Sequence, residues 1–139
     1  MKIAYISAGA AGMYCGTCIH DNTLVASMQK KGHDVALIPT YTPLRTDEEN
    51  VSLNRVFYGG VNVYLQQKLA LFRYTPWFLD RFLDSETLLK SLVRFSSSTN
   101  AKDLGALTIS MLEGEEGHQK KELKKLIKWL QDEYKPDIV

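Results

Sequence analysis

Two short apolar runs near the start of the chain predict buried β-strands. The first run, KIAYIS at residues 2–7, is rich in β-branched and aromatic side chains and stops at glycines. The second run, DVALIP at residues 34–39, ends at a proline. If a helix connects the two runs, they form a βαβ unit, in which the strands pair in parallel.

The segment between these runs predicts that helix, from about Thr17 to Lys31. Its apolar positions Leu24, Val25 and Met28 share one helical face. Thr17 or Asp21 can cap the start, and two lysines followed by a glycine are typical of a helix end.

The middle of the chain predicts a loop, a hairpin and further helices. The polar residues 40–50 read as an exposed loop. In NRVFYGGVNVYLQQ, residues 54–67, apolar and polar positions alternate around two glycines, which is typical of a β-hairpin. Residues 69–95 are dense in Leu, Phe and Trp, and Pro76 and Ser85 can start helices, so we expect two short helices there.

Two more helical faces and one strand are predicted in the last third. The first face comprises Leu104, Leu107, Thr108, Met111 and Leu112, and the second comprises Leu123, Leu126, Ile127 and Leu130, with lysines opposite. The ending YKPDIV leaves a helix and begins a new strand. A buried parallel strand usually needs about five residues. We therefore expect residues 1–139 to be part of a longer protein.

Taken together, the elements predict one α/β domain at residues 1–139, with a parallel sheet, a β-hairpin insertion and several helices. The chain has 139 residues, 45% of them apolar and 24% charged, which suits a globular domain. A net charge of +1 gives no reason to expect nucleic acid or a charged membrane surface as a partner. The first apolar run is too short for a signal peptide or a membrane span, so we expect a cytoplasmic protein.

The stretch GAAGMYCGTC, residues 9–18, follows the first strand and offers a phosphate site. A loop that leads into a helix N-terminus exposes backbone N–H groups at the positive end of the helix dipole. The glycines do not have the spacing of the dinucleotide fingerprint, and no Lys-Ser/Thr pair follows as in a nucleoside-triphosphate loop. A plain nucleotide-binding module and glycines that only turn the chain both remain open.

The same stretch holds a Cys-x-x-Cys pair, Cys15 and Cys18. At a helix N-terminus the first thiol of such a pair can have a lowered pKa, which favours thiol–disulfide or redox-sensing chemistry. The pair resembles a thioredoxin-type site, but the Pro76 segment continues as a helix-like run rather than the strand that follows that family's cis-proline. Zinc needs four ligands, and Cys15, Cys18 and His20 have no suitable fourth. The alternative is that the thiols merely line a ligand loop.

Three polar residues follow in the first predicted turn of the helix: His20, Asp21 and Asn22. Their side chains can hydrogen-bond a sugar hydroxyl or a phosphate. Asp21 and Asn22 can equally well cap the helix or face solvent. Arg45, in the next loop, could bind an anion, although a lone surface arginine usually binds nothing.

Several segments together resemble the N-terminal domain of a group 1 glycosyltransferase of the GT-B fold, in the glycogen- and starch-synthase-like branch. They are MKIAYIS with its glycine loop, KKGHDVALIP, GGVNVYLQQ and the closing KPDIV. The resemblance covers most of the chain in order. It implies two facing Rossmann-like domains and sugar transfer from a nucleotide-sugar, with retention of anomeric configuration, to a carbohydrate or other small acceptor.

The resemblance also implies roles for particular residues. Gly12, Cys15, Gly16 and Thr17 would line the donor-diphosphate edge of the cleft, and His20, Asp21 and Asn22 would contact the acceptor or the loop. The nucleotide-sugar is a co-substrate, and neither a cofactor nor a metal nor an integral membrane segment is implied. Tyr14 and Thr17 depart from the lysine and second glycine of glycogen synthases, which favours another acceptor.

The rest of the implied site lies outside this sequence. The family's histidine follows the strand that begins at PDIV, and its paired glutamates belong to the C-terminal nucleotide-sugar domain. Lowering a barrier by about 10 kcal/mol needs positioned groups on both sides of the substrate. We therefore expect residues 1–139 alone to be inactive, with no catalytic residue among them.

Overall fold

The computed structural model describes residues 1–10, 13–59, 63, 66, 74 and 101–139. This part of the chain is α/β, with a two-stranded parallel sheet and three α-helices. The chain divides into two compact units. One comprises Met1–Phe57 with Lys125–Val139, and the other comprises Tyr58–Lys124.

The first unit is built on two parallel strands, β1 (Lys2–Ser7) and β2 (Asp34–Pro39). The register places Lys2 opposite Asp34 and Ser7 opposite Pro39. Residues 35–40 are all buried, as expected for the near-continuous apolar run of a parallel strand. Both strands and their parallel pairing were predicted, and the structure confirms them.

Helix α1 (Gly16–Lys30) joins the strands, within one residue of its predicted limits. The prediction of its buried face is partly wrong, because Leu24 is exposed and the buried residues are Cys18, Asp21, Asn22 and Val25. Spacings of three and four place these four residues on one stripe. Cys18 and Val25 pack into the apolar core with residues of both strands, while the two polar residues in the stripe are buried with hydrogen-bond partners.

The chain also pairs in parallel with the outer edge of each strand. Ile138 bridges Ile3 on one side of β1, and the Ala4 N–H donates to the Ile138 carbonyl at 2.9 Å. Beyond β2, Ser52 bridges Leu37. The strand predicted at the end of the chain is therefore present as a single bridge, next to β1 as a parallel neighbour.

The predicted β-hairpin at residues 54–67 is corrected in its first arm. Residues 54–58 form no strand, because Phe57 is buried against Trp129 with ring centroids 5.0 Å apart, and the Arg55 guanidinium lies 4.7 Å from the Phe57 ring. Most of the second arm lies outside the described residues. Val63 is helical and donates its N–H to the Gly59 carbonyl, the spacing of a helical turn. The helices predicted within residues 69–95 also lie outside the described residues.

Two helices were predicted near the end of the chain, and both are present: α2 (Ala101–Leu112) and α3 (Lys120–Trp129), followed by a π-helical turn (Leu130–Tyr134). The predicted apolar face of α3 is only partly right. Leu126 is buried, but Ile127 is 41% exposed. Glu122 is buried instead, where its carboxylate accepts a hydrogen bond of 2.7 Å from the Gln66 amide. The buried positions of α3 therefore include Glu122, four residues before Leu126, in place of Ile127.

Candidate functional site

Most of the predicted site residues lie at the start of α1, the helix that follows the loop at the carboxyl end of β1. The loop after β1 and the loop after β2 are joined by backbone hydrogen bonds: the Thr40 N–H donates to the Ser7 carbonyl at 2.8 Å, and the Tyr41 N–H donates to the Ala8 carbonyl at 3.1 Å. The Thr40 hydroxyl adds a third bond to the Ser7 carbonyl. The base of the glycine loop is therefore held in place by β2.

Gly9 is a glycine for structural reasons. Its φ of +80° lies in the left-handed region, which other residues seldom adopt. A Cβ added at Gly9 would fall on the carbonyl and hydroxyl oxygens of Thr42. This glycine lets the two loops approach each other, so its role is explained by the fold alone.

Gly16, the first residue of α1, is different. A Cβ built on it meets no described atom within 4 Å, and the residue is exposed. The surrounding structure therefore does not require a glycine there. Thr17, beside it, is exposed as well. Gly12, the third glycine of the loop, lies outside the described residues.

The two cysteines occupy the start of α1 with opposite exposures. Cys15 is the N-cap residue and is half-buried, and its sulfur accepts the Cys18 backbone N–H at 3.4 Å. Cys18 lies in the core at 2% exposure. Both are free thiols. The Cys18 backbone N–H, and then its thiol, hold the pKa of Cys15 below its usual value, whereas burial raises the pKa of Cys18 to about 11.

A buried carboxylate one turn further on ties α1 to β1. Asp21 is 5% exposed and accepts hydrogen bonds from the Ser7 hydroxyl at 2.8 Å and the Tyr5 hydroxyl at 3.0 Å. The His20 Nδ1 atom lies 3.3 Å from the same carboxylate, and the His20 side chain is 71% exposed. The Ser7 hydroxyl donates to the carboxylate and not to the imidazole, so this cluster is not a nucleophilic triad. Burial, followed by the hydrogen bond and charge of Asp21, raises the pKa of Tyr5.

Asn22 holds the loop that precedes Ser52. It is fully buried, and its amide donates to the Glu49 carbonyl at 2.9 Å and accepts the Val51 N–H at 3.0 Å. Both ends of the amide are therefore used inside the protein. Its predicted contact with an acceptor stays a prediction, and the alternative that Asn22 caps the helix or faces solvent is wrong, because the side chain is buried and bonded to the backbone of a distant loop. Of the three predicted acceptor contacts, His20 presents the most accessible side chain.

Sequence reasoning did not anticipate three contacts in this region. Tyr5 and Ser7 orient the buried carboxylate, and the guanidinium of Arg45 lies 4.2 Å from the centroid of the Tyr14 ring. A cation–π contact of this kind joins the loop after β2 to the glycine loop. The tyrosine and the serine at alternate positions in the second half of KIAYIS were the only sequence signal for the first two. Nothing in the sequence pairs Arg45 with Tyr14.

In the described part of the chain, no three His, Cys, Asp or Glu side chains are grouped so that they could hold a metal ion. An open groove of about 390 Å³ runs along β1 and contains none of the predicted site residues. It is lined by Ile3, Ala4, Tyr5, Ile6, Ile138 and Val139.

Comparison with protein families, with characterised proteins and with solved structures found no match to this chain. No helix within the described ranges is long and apolar enough to cross a membrane.

Proposed function

We propose that residues 1–139 are the acceptor-side, Rossmann-like half of a retaining glycosyltransferase that takes its sugar from a nucleotide-sugar. The observation that carries the proposal is the position of β1 between two parallel neighbours, β2 on one side and Ile138 on the other. In open α/β sheets, ligands bind outside the carboxyl ends of the strands, at the point where the order of strands reverses. Here the chain leaves β1 for β2 and returns later to the opposite side of β1, so the reversal falls beside the glycine loop.

The open space at Gly16 supports the same proposal. A glycine at the first position of a helix lowers helix stability, and neither φ nor crowding in the described residues requires one there. A close-approaching ligand would account for it, because a side chain would separate a diphosphate from the N–H groups of the first turn of α1. Gly12, Cys15 and Thr17 would complete this diphosphate edge.

The remaining residues take distinct roles in the proposal. His20 would contact the acceptor directly, because its side chain is exposed beside the loop. Asp21 already accepts bonds from Tyr5 and Ser7, so it would position His20 and α1. The nucleotide of the donor and the reacting sugar would be held by a C-terminal domain. The 139-residue chain alone would therefore transfer no sugar.

The first experiment reads the gene beyond the codon for Val139. We expect the downstream sequence to encode a strand that carries a histidine, followed by a βα domain with two glutamates about two helical turns apart. A stop codon directly after Val139 would refute it.

The second experiment measures nucleoside-diphosphate release from UDP-, ADP- and GDP-sugars by the protein that the whole gene encodes. The variant Gly16→Leu places a side chain in the open space, and Ser27→Leu is the matched control, since Ser27 is exposed on the third turn of the same helix. We expect Gly16→Leu to reduce release at least tenfold and the control to keep it. Equal release by the two variants would show that the glycine loop is not part of the donor site. If the unaltered protein releases no nucleoside diphosphate from any of these donors, the proposed function itself is contradicted.

A further inference from the structure

Cys15 and Cys18 form a pair of free thiols at the start of α1. Cys15 has an extended backbone, with φ −142° and ψ 131°, which turns its side chain back over the first helical turn. Its sulfur accepts the Cys18 N–H at 3.4 Å, so the Cys15 thiol lies against the backbone of the residue that carries the second thiol. The two thiols therefore lie within the first helical turn and each influences the pKa of the other, at the three-residue spacing found in disulfide oxidoreductases.

The two thiols are prepared for different steps. Cys15 is partly accessible, and the hydrogen bonds from Cys18 and then from Thr17 hold its pKa below the usual value, so a larger share is thiolate at neutral pH. Cys18 is buried, and burial, Cys15 and the charge of Asp21 all raise its pKa, so it stays protonated. An accessible thiolate with a buried thiol beside it is the arrangement that attacks an external disulfide and then resolves the product.

We propose that Cys15 and Cys18 are an oxidisable dithiol that exchanges with low-molecular-weight disulfides and closes into an intramolecular disulfide at the start of α1. In the first step the Cys15 thiolate attacks one sulfur of the external disulfide, which breaks and releases one thiolate. In the second step the sulfur of Cys18 attacks Cys15, and the second external thiol leaves with the Cys18 proton. Counted from the dithiol, the protein loses two electrons and two protons: the proton that Cys15 gave to water on ionising is taken up by the first thiolate released, so one external disulfide becomes two thiols.

Closing the bond changes the loop that begins α1. The partly negative sulfur that accepts the N–H at the helix N-terminus becomes a neutral disulfide sulfur, a poorer acceptor next to the positive end of the helix dipole. Gly16 and Thr17 lie between the two bonded residues and are constrained with them. The dithiol therefore gives the glycine loop two states, whether or not that loop serves sugar transfer.

The test compares the unaltered chain with Cys15→Ser and Cys18→Ser in mixtures of reduced and oxidised glutathione, read by intact-mass spectrometry after acid quenching. Serine is itself a good N-cap, so Cys15→Ser should keep α1. We expect the unaltered chain to lose two hydrogens and carry no glutathione. Cys18→Ser should retain one glutathione on Cys15, because the resolving thiol is gone, and Cys15→Ser should stay unmodified. In separate iodoacetamide reactions, Cys15 of Cys18→Ser should react at least tenfold faster than Cys18 of Cys15→Ser.

Two results would overturn the proposal. The first is an unaltered chain that holds glutathione without closing, in mixtures that glutathionylate Cys18→Ser. The second is a Cys15→Ser variant that reacts as fast as Cys18→Ser. If circular dichroism shows that either variant is unfolded, limited alkylation of the unaltered chain with peptide mapping gives the same selectivity, and equal labelling of the two cysteines would refute the assigned roles.

Discussion

Asn22 provides the sharpest test of how α1 is held against the rest of the first unit. Its amide makes two hydrogen bonds to the backbone of residues 49–51, which is 27 and 29 positions away along the chain. The side chain is fully buried. Asn22→Ala removes both bonds and leaves a carbonyl and an N–H without their partner in a part-buried place.

The expected loss follows from those two bonds. Each lost bond costs about 1–2 kcal/mol, because the backbone group left behind is part-buried and pays only part of the cost of a fully buried group without a partner. Alanine returns about 0.5 kcal/mol through its higher helix propensity. We therefore expect Asn22→Ala to lower the free energy of unfolding by about 2–3 kcal/mol.

Thr23→Ala is the matched control, because Thr23 is the next residue of α1 and reaches toward the same loop. Its hydroxyl donates to the Glu48 carboxylate at 3.1 Å, but this bond is exposed to solvent. The gain in helix propensity should cancel most of its loss, so the net change should stay within about 0.5 kcal/mol.

Urea unfolding followed by circular dichroism measures both variants. With a slope of about 1.5 kcal/mol per molar, Asn22→Ala should move the midpoint down by more than about 1 M, at an unchanged slope. A midpoint shift no larger than that of Thr23→Ala would show that the buried amide does not hold the loop. The structural account of Asn22 would then be wrong.

Three further predictions rest on other contacts, and urea unfolding measures each of them. Gly9→Ala should lower the free energy of unfolding by at least about 2 kcal/mol, because the backbone there is left-handed and the added Cβ meets the Thr42 backbone. Gly16→Ala should not lower the free energy of unfolding, because the space around Gly16 is open. Equal stabilities of the two variants would contradict the loop geometry. The pKa of Tyr5 is raised above its usual value near 10, so its contribution to stability is complete below that pH and is lost as the pH rises through the higher folded value. Tyr5→Phe should therefore lose less stability than the unaltered chain between about pH 9 and about pH 11, and identical losses would refute the assignment. Trp129→Ala should cost about 3 kcal/mol because its ring packs in an aromatic cluster, while Glu133→Gln, which breaks an exposed ion pair, should cost less than about 0.5 kcal/mol; a larger effect of Glu133→Gln would reverse this ranking.

The limits of β1, α1 and β2 could be predicted because their signals are local. An apolar run that stops at glycines, a helical stripe that ends at Lys-Lys-Gly and a second apolar run lie within the first 39 residues. Each element is specified by neighbours at most four positions away, and the crossover through α1 is long enough for the parallel pairing of a βαβ unit. The Cys-x-x-Cys at the start of α1 is visible in the sequence for the same reason.

Local sequence patterns gave wrong predictions where a residue contacts a partner far away in the sequence. The alternation in residues 54–58 predicts a strand, but Phe57 packs on Trp129, and that side-chain contact replaces a ladder. The stripe on α3 predicts a buried Ile127, but the buried position goes to Glu122, whose partner Gln66 lies 56 residues earlier.

For the candidate site, too, the sequence showed some features and only the folded structure showed others. The sequence was enough to identify the glycine loop, the two cysteines and the polar residues that follow them. It did not show that Asp21 and Asn22 are buried and paired inside the protein, or that Cys15 is accessible while Cys18 is not. A polar group can be buried without a large cost only when it has hydrogen-bond partners inside the protein. The partners of Asn22 belong to a loop more than 25 residues away along the chain. Only the folded chain brings such groups together.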